Sequence, residues 1–325
     1  MYKVLSKDKQ IYALKKISLE GDEGGAGHVA NYRNEINLLR RLRGKRHCIQ
    51  LVDYEEQLDD KIIYMVFELG QMDLAHVIKQ ARHNDAQLPA TTVRHYWHEI
   101  LECVQSCHRD KVIHLDLKPA NFVFVDGILK IIDFGIAKQV GNEQTSIIRE
   151  NQVGTVSYMA PETITASESN VPPGQFKLRQ SADIWSLGCI LYELVYGKPP
   201  FYHKSLIQKI HSITDPNYII PFPELSLGNP DSLLLDVLRH CLNRNPRKRP
   251  TIEELLAHPL VNPAGTTLLR PSQAAVDENS LRHILEQLVP NTQSARLDNL
   301  AQSVLQQLQA GTPVQITPEF KSTQS

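Results

Sequence analysis

The segment His114-Leu115-Asp116-Leu117-Lys118-Pro119-Ala120-Asn121, followed by Asp133-Phe134-Gly135, decides the interpretation of this sequence. Its polar residues have the chemistry that phosphoryl transfer from ATP requires, namely a held nucleophile and ligands for magnesium. Asp116 is the candidate catalytic base, because a carboxylate can accept the proton of an attacking hydroxyl. Asn121 and Asp133 offer the hard oxygen ligands that Mg²⁺ prefers. The segment therefore predicts an ATP- and Mg²⁺-dependent phosphotransferase.

Three lysine and glutamate side chains complete this set. Lys118 can place its charge near the transferring phosphate. Lys15, on a strand predicted over residues 11–17, can pair with the α- and β-phosphates, and Glu35, on a helix predicted over residues 28–42, is its candidate partner. A lysine on a strand or a glutamate on a helix is common in any protein. Their order before the catalytic segment is what favours the functional interpretation.

Composition and charge describe an ordinary globular chain. Of its 325 residues, 42% are hydrophobic and 22% are charged, and the formal net charge is -1. This balance predicts no general attraction to nucleic acid or to an anionic membrane surface. No apolar run approaches the length of a membrane span, and the first residues have no signal-peptide character. We therefore expect a cytosolic or nuclear protein.

The sequence has five cysteines, an odd number without a tight framework, which predicts reduced thiols. Cys103, Cys107 and His108 could be imagined as metal ligands. The cysteines, however, follow the apolar face of a predicted helix, and small buried thiols fit such a face without a metal. We favour this second interpretation.

Hydrophobic patterns divide the chain into three parts. Residues 1–70 are predicted to form a small β-rich lobe, with strands at 11–17, 49–54 and 62–67 and the one helix already mentioned. Residues 71–262 are mainly helical, with a central helix predicted over 183–196 and further helices over 232–242 and 251–257. Residues 263–325 form an extension with a helical stripe, and its end from 311 onward is predicted to be disordered.

Three further motifs resemble the eukaryotic protein kinase superfamily over roughly residues 1–262. They are Met159-Ala160-Pro161-Glu162, Asp183-Ile184-Trp185-Ser186-Leu187-Gly188, and Arg249, which matches the arginine that pairs with Glu162. The resemblance implies a bilobal α+β kinase fold with a β-rich N-lobe and a large helical C-lobe. Small-molecule kinases lack these three features, so a protein substrate is favoured over a metabolite.

Other segments are similar to the monopolar spindle (TTK-like) kinase family. They include Tyr32-Arg33-Asn34-Glu35-Ile36, Tyr64-Met65-Val66, Val125-Asp126-Gly127 and Gln152-Val153-Gly154-Thr155-Val156-Ser157-Tyr158. This resemblance implies a dual-specificity serine/threonine kinase of the spindle assembly checkpoint, with kinetochore proteins as partners. It also implies localisation to the nucleus and kinetochore with a cytoplasmic pool. We expect a monomer that pairs transiently for autophosphorylation.

The same resemblance assigns the adenine site. It implies Phe67 as gatekeeper, the hinge at Glu68, Leu69 and Gly70, the roof and floor of the adenine slot at Ala13 and Val123, and Asp73 near the ribose. For Ala13 and Val123, ordinary core packing is the alternative, and both roles can hold together.

Thr145 and Thr155 match positions that the family autophosphorylates. For Thr155, a structural hydrogen bond near Asp116 and Lys118 competes with that role.

The sequence departs from the general kinase pattern at two places. No Gly-x-Gly-x-x-Gly precedes Lys15, so we expect the first strand and the glycine-rich loop of the N-lobe to be missing, through truncation or a mis-started gene model. Leu115 stands where most kinases have the arginine that pairs with a phosphorylated activation loop. The spindle family also lacks this arginine. A catalytically weak interaction module with a kinase fold is the alternative function.

Overall fold

The computed structural model describes residues 1–19, 25–57, 59–83, 88–134, 138–139, 155–165, 176–224 and 232–262. The chain divides into two compact units, Met1–Asn262 and Pro263–Ser325. The second unit lies outside the described residues, and so do the helical stripe and the disordered end predicted for it. Gly135, Thr145 and residues 152–154 lie outside them as well.

The N-lobe contains an antiparallel sheet of four strands in the order β1-β2-β4-β3. The strands are β1 (Tyr2–Leu5), β2 (Ile11–Ser18), β3 (Leu51–Gln57) and β4 (Ile62–Glu68). The three predicted strands are confirmed, and β1 is an additional strand at the sheet edge, paired along its length with β2. Alternate residues of β4 are buried, as expected for a strand with one face on a core.

Helix α1 (Gly25–Arg41) lies in the chain between β2 and β3, close to the predicted bounds. Ile36, Leu39 and Leu42 are buried at helical spacing and join the hydrophobic core. This packing fixes the rotation of α1. Glu35, next to Ile36, is consequently also buried, with only 3% of its surface exposed.

The C-lobe is mainly helical. Its helices are α2 (Leu74–His83), α3 (Ala90–Arg109), α4 (Pro161–Thr165), α5 (Phe176–Tyr196), α6 (Leu206–Thr214), α7 (Ser232–Cys241) and α8 (Ile252–Ala257). The central helix α5 starts earlier than the predicted residue 183. Its apolar residues Ile184, Trp185, Leu187, Ile190 and Leu191 are all buried, as predicted. It ends at Gly197, whose φ of 72° suits a glycine after a helix.

Short strands hold the catalytic segments in the C-lobe. Strand β6 (Val112–Ile113) ends just before His114 and pairs with β9 (Lys138–Gln139). Strands β5 (Met72–Asp73), β7 (Phe122–Val125) and β8 (Ile128–Ile131) form a second small sheet in the order β5-β7-β8. The catalytic segment therefore runs between β6 and β7, and Asp133 follows β8 closely. Strand ends anchored in this way can hold functional side chains in fixed positions.

All five cysteines are free and buried, which confirms the prediction of reduced thiols. Among the described residues, no group of three or more His, Cys, Asp or Glu side chains could hold a metal ion. Cys103 and Cys107 are completely buried and belong to the hydrophobic core, which agrees with their interpretation as core residues. Within the same described part of the chain, no helix has the length and apolar character needed to cross a membrane.

Candidate active site

Lys15 and Glu35 form an ion pair between β2 and α1. The Lys15 Nζ lies 3.1 Å from Glu35 Oε1 and 3.8 Å from Asp133 Oδ1. Burial works to lower the pKa of Lys15, but the negative charges of Glu35 and Asp133 outweigh it, so its pKa is raised. Burial raises the pKa of the Glu35 carboxyl, and the charge of Lys15 opposes that rise. Lys15 is therefore a stable cation beside the predicted magnesium ligand.

The catalytic segment brings Asp116, Lys118 and Asn121 together. The Lys118 Nζ donates to Asp116 Oδ2 at 2.8 Å. The Asn121 amide donates to the Asp116 main-chain oxygen at 2.8 Å and to Asp116 Oδ2 at 3.3 Å. Asp116 Oδ1 is buried and has no hydrogen-bond partner among the described residues. Because a buried acceptor without a partner is costly, this oxygen is suited to receive a donor from a ligand.

Thr155 takes part in the same cluster. Its hydroxyl oxygen accepts a hydrogen bond from Lys118 Nζ at 3.2 Å, and only 9% of the residue is exposed. The structural hydrogen bond that the sequence suggested for Thr155 is therefore present. Ser157 is also buried, with 3% of its surface exposed. In this arrangement neither hydroxyl is open to a modifying enzyme.

Asp183 fastens the main chain of the catalytic segment. Its carboxylate accepts hydrogen bonds from the His114 and Leu115 main-chain N–H groups at 3.0 and 2.9 Å. The ring of His108 lies 2.8 Å from the same carboxylate. Leu115 has a φ of 64°, a left-handed conformation that costs a non-glycine residue energy. The sequence predicted no such role for Asp183 and His108. A single carboxylate among the apolar residues of a buried helix is a signal that could have indicated a buried partner for Asp183.

Asp133 and Phe134 are oriented differently from each other. The Asp133 side chain is 47% exposed, so its carboxylate is accessible to a ligand. Phe134 is buried against His114, with ring centroids 5.4 Å apart. Asp133 has a φ of 61°, so the main chain turns sharply at this residue. The buried phenyl ring fixes the turn that presents the carboxylate to Lys15.

The predicted adenine residues meet between the two lobes. Ala13 is the direct cross-strand partner of Phe67, so both belong to one end of the β2–β4 pair. Gly70 lies so close to the C-lobe that a Cβ atom on it would be 2.1 Å from the Val123 Cγ1. Only glycine allows this approach. Leu69, which precedes Gly70 in the predicted hinge, is partly buried.

Asp73 has a structural role that the sequence did not predict. Its Oδ1 accepts a hydrogen bond from the His76 main-chain N–H at 2.7 Å, at the start of α2. A carboxylate in this position satisfies one of the free donors of a helix N-terminus. This bond fixes the side chain that the resemblance implied to lie near the ribose.

Glu162 and Arg249 form the predicted ion pair of the C-lobe. The guanidinium donates from Nη1 to Oε1 at 2.6 Å and from Nη2 to Oε2 at 2.8 Å. The Arg249 side chain is fully buried, whereas that of Glu162 is 28% exposed. This pair ties the end of the 155–165 segment to the body of the C-lobe, so the sequence prediction is confirmed.

Comparison with known proteins defines the class. The sequence model of the protein kinase domain family matches residues 1–261, so this chain belongs to the protein kinase family. It is 42% identical over 311 residues to the dual specificity protein kinase Ttk of Danio rerio, covering 93% of this chain and 30% of that protein. It is 41% identical over 284 residues to the serine/threonine-protein kinase mph1 of Schizosaccharomyces pombe, covering 81% and 41%.

A third relative is the probable serine/threonine-protein kinase mps1 of Dictyostelium discoideum, 44% identical over 264 residues, which are 79% of this chain and 26% of that protein. These relatives confirm the resemblance to the monopolar spindle kinases. The chain spans between about a quarter and two fifths of the length of these relatives.

The chemistry of these side chains suits the binding of a nucleoside triphosphate and a divalent metal ion, as membership of the protein kinase family implies. Lys15 offers a cation, Asp133 an accessible carboxylate, and Asp116 a buried acceptor oxygen without a partner among the described residues. The Asn121 amide nitrogen donates to the Asp116 main-chain oxygen, and this hydrogen bond does not use the Asn121 carbonyl oxygen, which was predicted as a metal ligand. The carboxylate oxygens of Asp133 and the carbonyl oxygen of Asn121 are hard oxygen atoms, the kind of ligand that Mg²⁺ prefers.

Proposed function

We propose that this chain is a protein kinase that transfers the γ-phosphate of ATP to serine and threonine, and also to tyrosine, of protein substrates, with Mg²⁺ as the metal. The observation that carries the proposal is that the structure joins Lys15 to both Glu35 and Asp133, and that it also joins Asn121 to Asp116 in the catalytic segment. Ion pairing of Lys15 with Glu35 is the arrangement that kinase catalysis requires.

Each of these side chains has a definite part in the reaction. The free Oδ1 of Asp116 accepts the proton of the substrate hydroxyl as that oxygen attacks the γ-phosphorus of ATP, and ADP leaves as the bond between the γ-phosphorus and the bridging oxygen breaks. Lys118, held on the other carboxylate oxygen, keeps its charge next to the transferring group. Lys15 neutralises the phosphates, while Asn121 and Asp133 would hold Mg²⁺. The metal supplies positive charge to the phosphate oxygens when bound.

Protein substrates and a checkpoint role complete the proposal. Two features support a protein substrate. The first is the ion pair by which Glu162, in the 155–165 segment, is held by Arg249, and the second is the similarity to relatives named as protein kinases. The name of the Danio rerio relative supports dual specificity. We place the protein in the spindle assembly checkpoint, at kinetochores and in the nucleus with a cytoplasmic pool, on the resemblance to the monopolar spindle kinases.

The organisation of the chain is part of the same proposal. Residues 1–262 are the catalytic unit, with residues 1–70 as N-lobe and 71–262 as C-lobe, and residues 263–325 are an extension. The kinase acts as a monomer and pairs transiently when it phosphorylates itself. Kinetochore proteins are its expected partners.

A phosphate-transfer assay tests the proposal. The purified chain, Mg²⁺ and γ-labelled ATP are incubated with a casein-like protein, and labelled serine, threonine and tyrosine are separated after hydrolysis. Loss of the base in Asp116→Asn should lower the rate about 10²-fold or more. Asp236→Asn, at a half-exposed site on α7, is the matched control and should leave the rate unchanged. Transfer that survives in Asp116→Asn contradicts the mechanism, and a folded wild-type chain without transfer would favour the interaction module.

A further inference from the structure

Lys130 is a lysine in the otherwise apolar strand β8, and it is nearly buried. Its Nζ lies 2.7 Å from Glu68 Oε1 and 2.8 Å from Glu68 Oε2. The two side chains are only 11% and 22% exposed. Glu68 is the last residue of β4 and the first residue of the predicted hinge. This ion pair therefore connects the C-lobe sheet to the segment that is predicted to read adenine.

Gln50 holds Glu68 from the other side. The Gln50 main-chain N–H donates to Glu68 Oε1 at 2.8 Å, and the Glu68 main-chain N–H donates to the Gln50 main-chain oxygen at 3.2 Å. The Glu68 carboxylate thus receives hydrogen bonds from both lobes. A carboxylate that is held by charged and main-chain donors in a partly buried site has little freedom to move.

Lys130 also lies on the adenine side of its sheet. It is the direct cross-strand partner of Val123 in the β7–β8 pair, so the two side chains share one face. The hinge residue Gly70 contacts that same Val123 side chain closely. Lys130 therefore stands next to the predicted floor of the adenine slot, in the strand that leads to Asp133.

We propose that Lys130 is a positioning residue for ATP, which acts by holding Glu68 and so fixing the main-chain groups of residues 68–70 against the adenine ring. The inference rests on the proposed function and deepens it. Lys130 contacts the hinge side chain rather than the reacting atoms. Its loss therefore weakens binding equally in the ground state and the transition state, raising KM for ATP and leaving kcat unchanged.

The test compares Mg-ATP binding and turnover in matched variants. Lys130→Met keeps most of the side-chain volume but removes the charge, and we expect its Kd and KM for Mg-ATP to rise about tenfold, with kcat at saturating ATP within about twofold of wild type. Lys130→Arg retains a cation and should recover most of the affinity. Glu68→Gln, which removes the opposite charge, should have the same effect as Lys130→Met, and the double variant should add little.

Lys45→Met is the control. Lys45 also forms an ion pair between the lobes, with Nζ 2.9 Å from Asp110 Oδ2, but its side chain is 43% exposed and it does not contact the predicted hinge. The Lys45→Met variant should therefore have the same KM for ATP as the wild-type chain. If Lys130→Met does not fold, Glu68→Gln decides the question by the same two constants.

The outcomes distinguish this inference from the proposed function. A wild-type chain that binds no Mg-ATP or transfers no phosphate overturns both. A wild-type chain that is active, with Kd and KM unchanged in Lys130→Met and Glu68→Gln, overturns only the positioning role. A fall or rise in kcat at unchanged KM overturns it as well, because the pair would then act on the chemical step or on lobe closure rather than on adenine.

Discussion

Replacing Arg249 tests the ion pair between a fully buried guanidinium and Glu162 in the C-lobe. Its guanidinium is fully buried and donates to both carboxylate oxygens of Glu162 at 2.6 and 2.8 Å. It also donates to the main-chain oxygens of Ser181 at 2.7 Å and Asn243 at 2.6 Å. Arg249→Met removes these four bonds, together with a longer one of 3.4 Å to the Arg244 main-chain oxygen, and leaves the three carbonyl oxygens without this donor.

The size of the effect follows from this geometry. Removing one partner of a buried pair costs about 3–5 kcal/mol of unfolding free energy. Because Glu162 is 28% exposed and can regain water, the lower part of this range is expected. For a domain of this size about 1 kcal/mol lowers the melting temperature by roughly 2–4 °C, so Arg249→Met should melt roughly 6–15 °C lower. Thermal unfolding followed by circular dichroism measures this directly.

Arg33→Met is the matched control for this experiment. Arg33 also makes two short bonds to one glutamate, with distances of 2.7 and 3.0 Å to Glu56 Oε2, but its side chain is 50% exposed. An exposed pair contributes about 0–1 kcal/mol, so the melting temperature of Arg33→Met should change by no more than about 4 °C. Equal shifts in the two variants, or an Arg249→Met chain that melts like wild type, would refute the reasoning.

Three further predictions concern the site itself. Asp183→Asn should lower kcat about tenfold or more in the transfer assay while Mg-ATP affinity is kept, because the asparagine cannot hold the strained Leu115 main chain through two charged acceptors; an unchanged kcat would contradict this. Gly70→Ala should weaken Mg-ATP binding about tenfold in a calorimetric titration, since the added methyl would lie 2.1 Å from the Val123 side chain; an unchanged affinity would contradict this. In a profile of kcat/KM against pH, activity should fall as the pH drops through the raised pKa of Glu35, because only the ionised carboxylate can hold its lysine; a limb at or below the ordinary value of 4.5 would argue against this account.

The candidate catalytic residues could be proposed from the sequence because their order along the chain is itself the signal. Lys15 and Glu35 are 20 residues apart in the chain, yet the structure joins them at 3.1 Å as expected. The pairing of Glu162 with Arg249 was likewise expected from motifs. Such residues have fixed neighbours in the sequence, so the pattern identifies them without any knowledge of packing.

Other features depend on contacts that no local pattern reveals. Strand β1 is short and mostly exposed, so it shows no clear alternation, and only its pairing with β2 defines it. Helix α5 begins at Phe176, before the apolar run that predicted it. The bonds from Lys130 to Glu68 and from His108 to Asp183 join residues far apart in the chain. Each of these bonds involves a polar residue in a largely apolar strand or helix. Such a residue in the sequence indicates that a buried partner exists, but it does not identify that partner.

The central claim is that Asp133, held beside Lys15, serves phosphate transfer from ATP. Asp133→Ala removes the accessible carboxylate but leaves Phe134 and its packing against His114 in place. The most direct measurement is the rate of γ-phosphate transfer to a casein-like protein in the two chains at saturating Mg-ATP. We expect a loss of about 10³-fold or more in Asp133→Ala, with the fold retained by circular dichroism. Equal rates in the two chains would contradict the account.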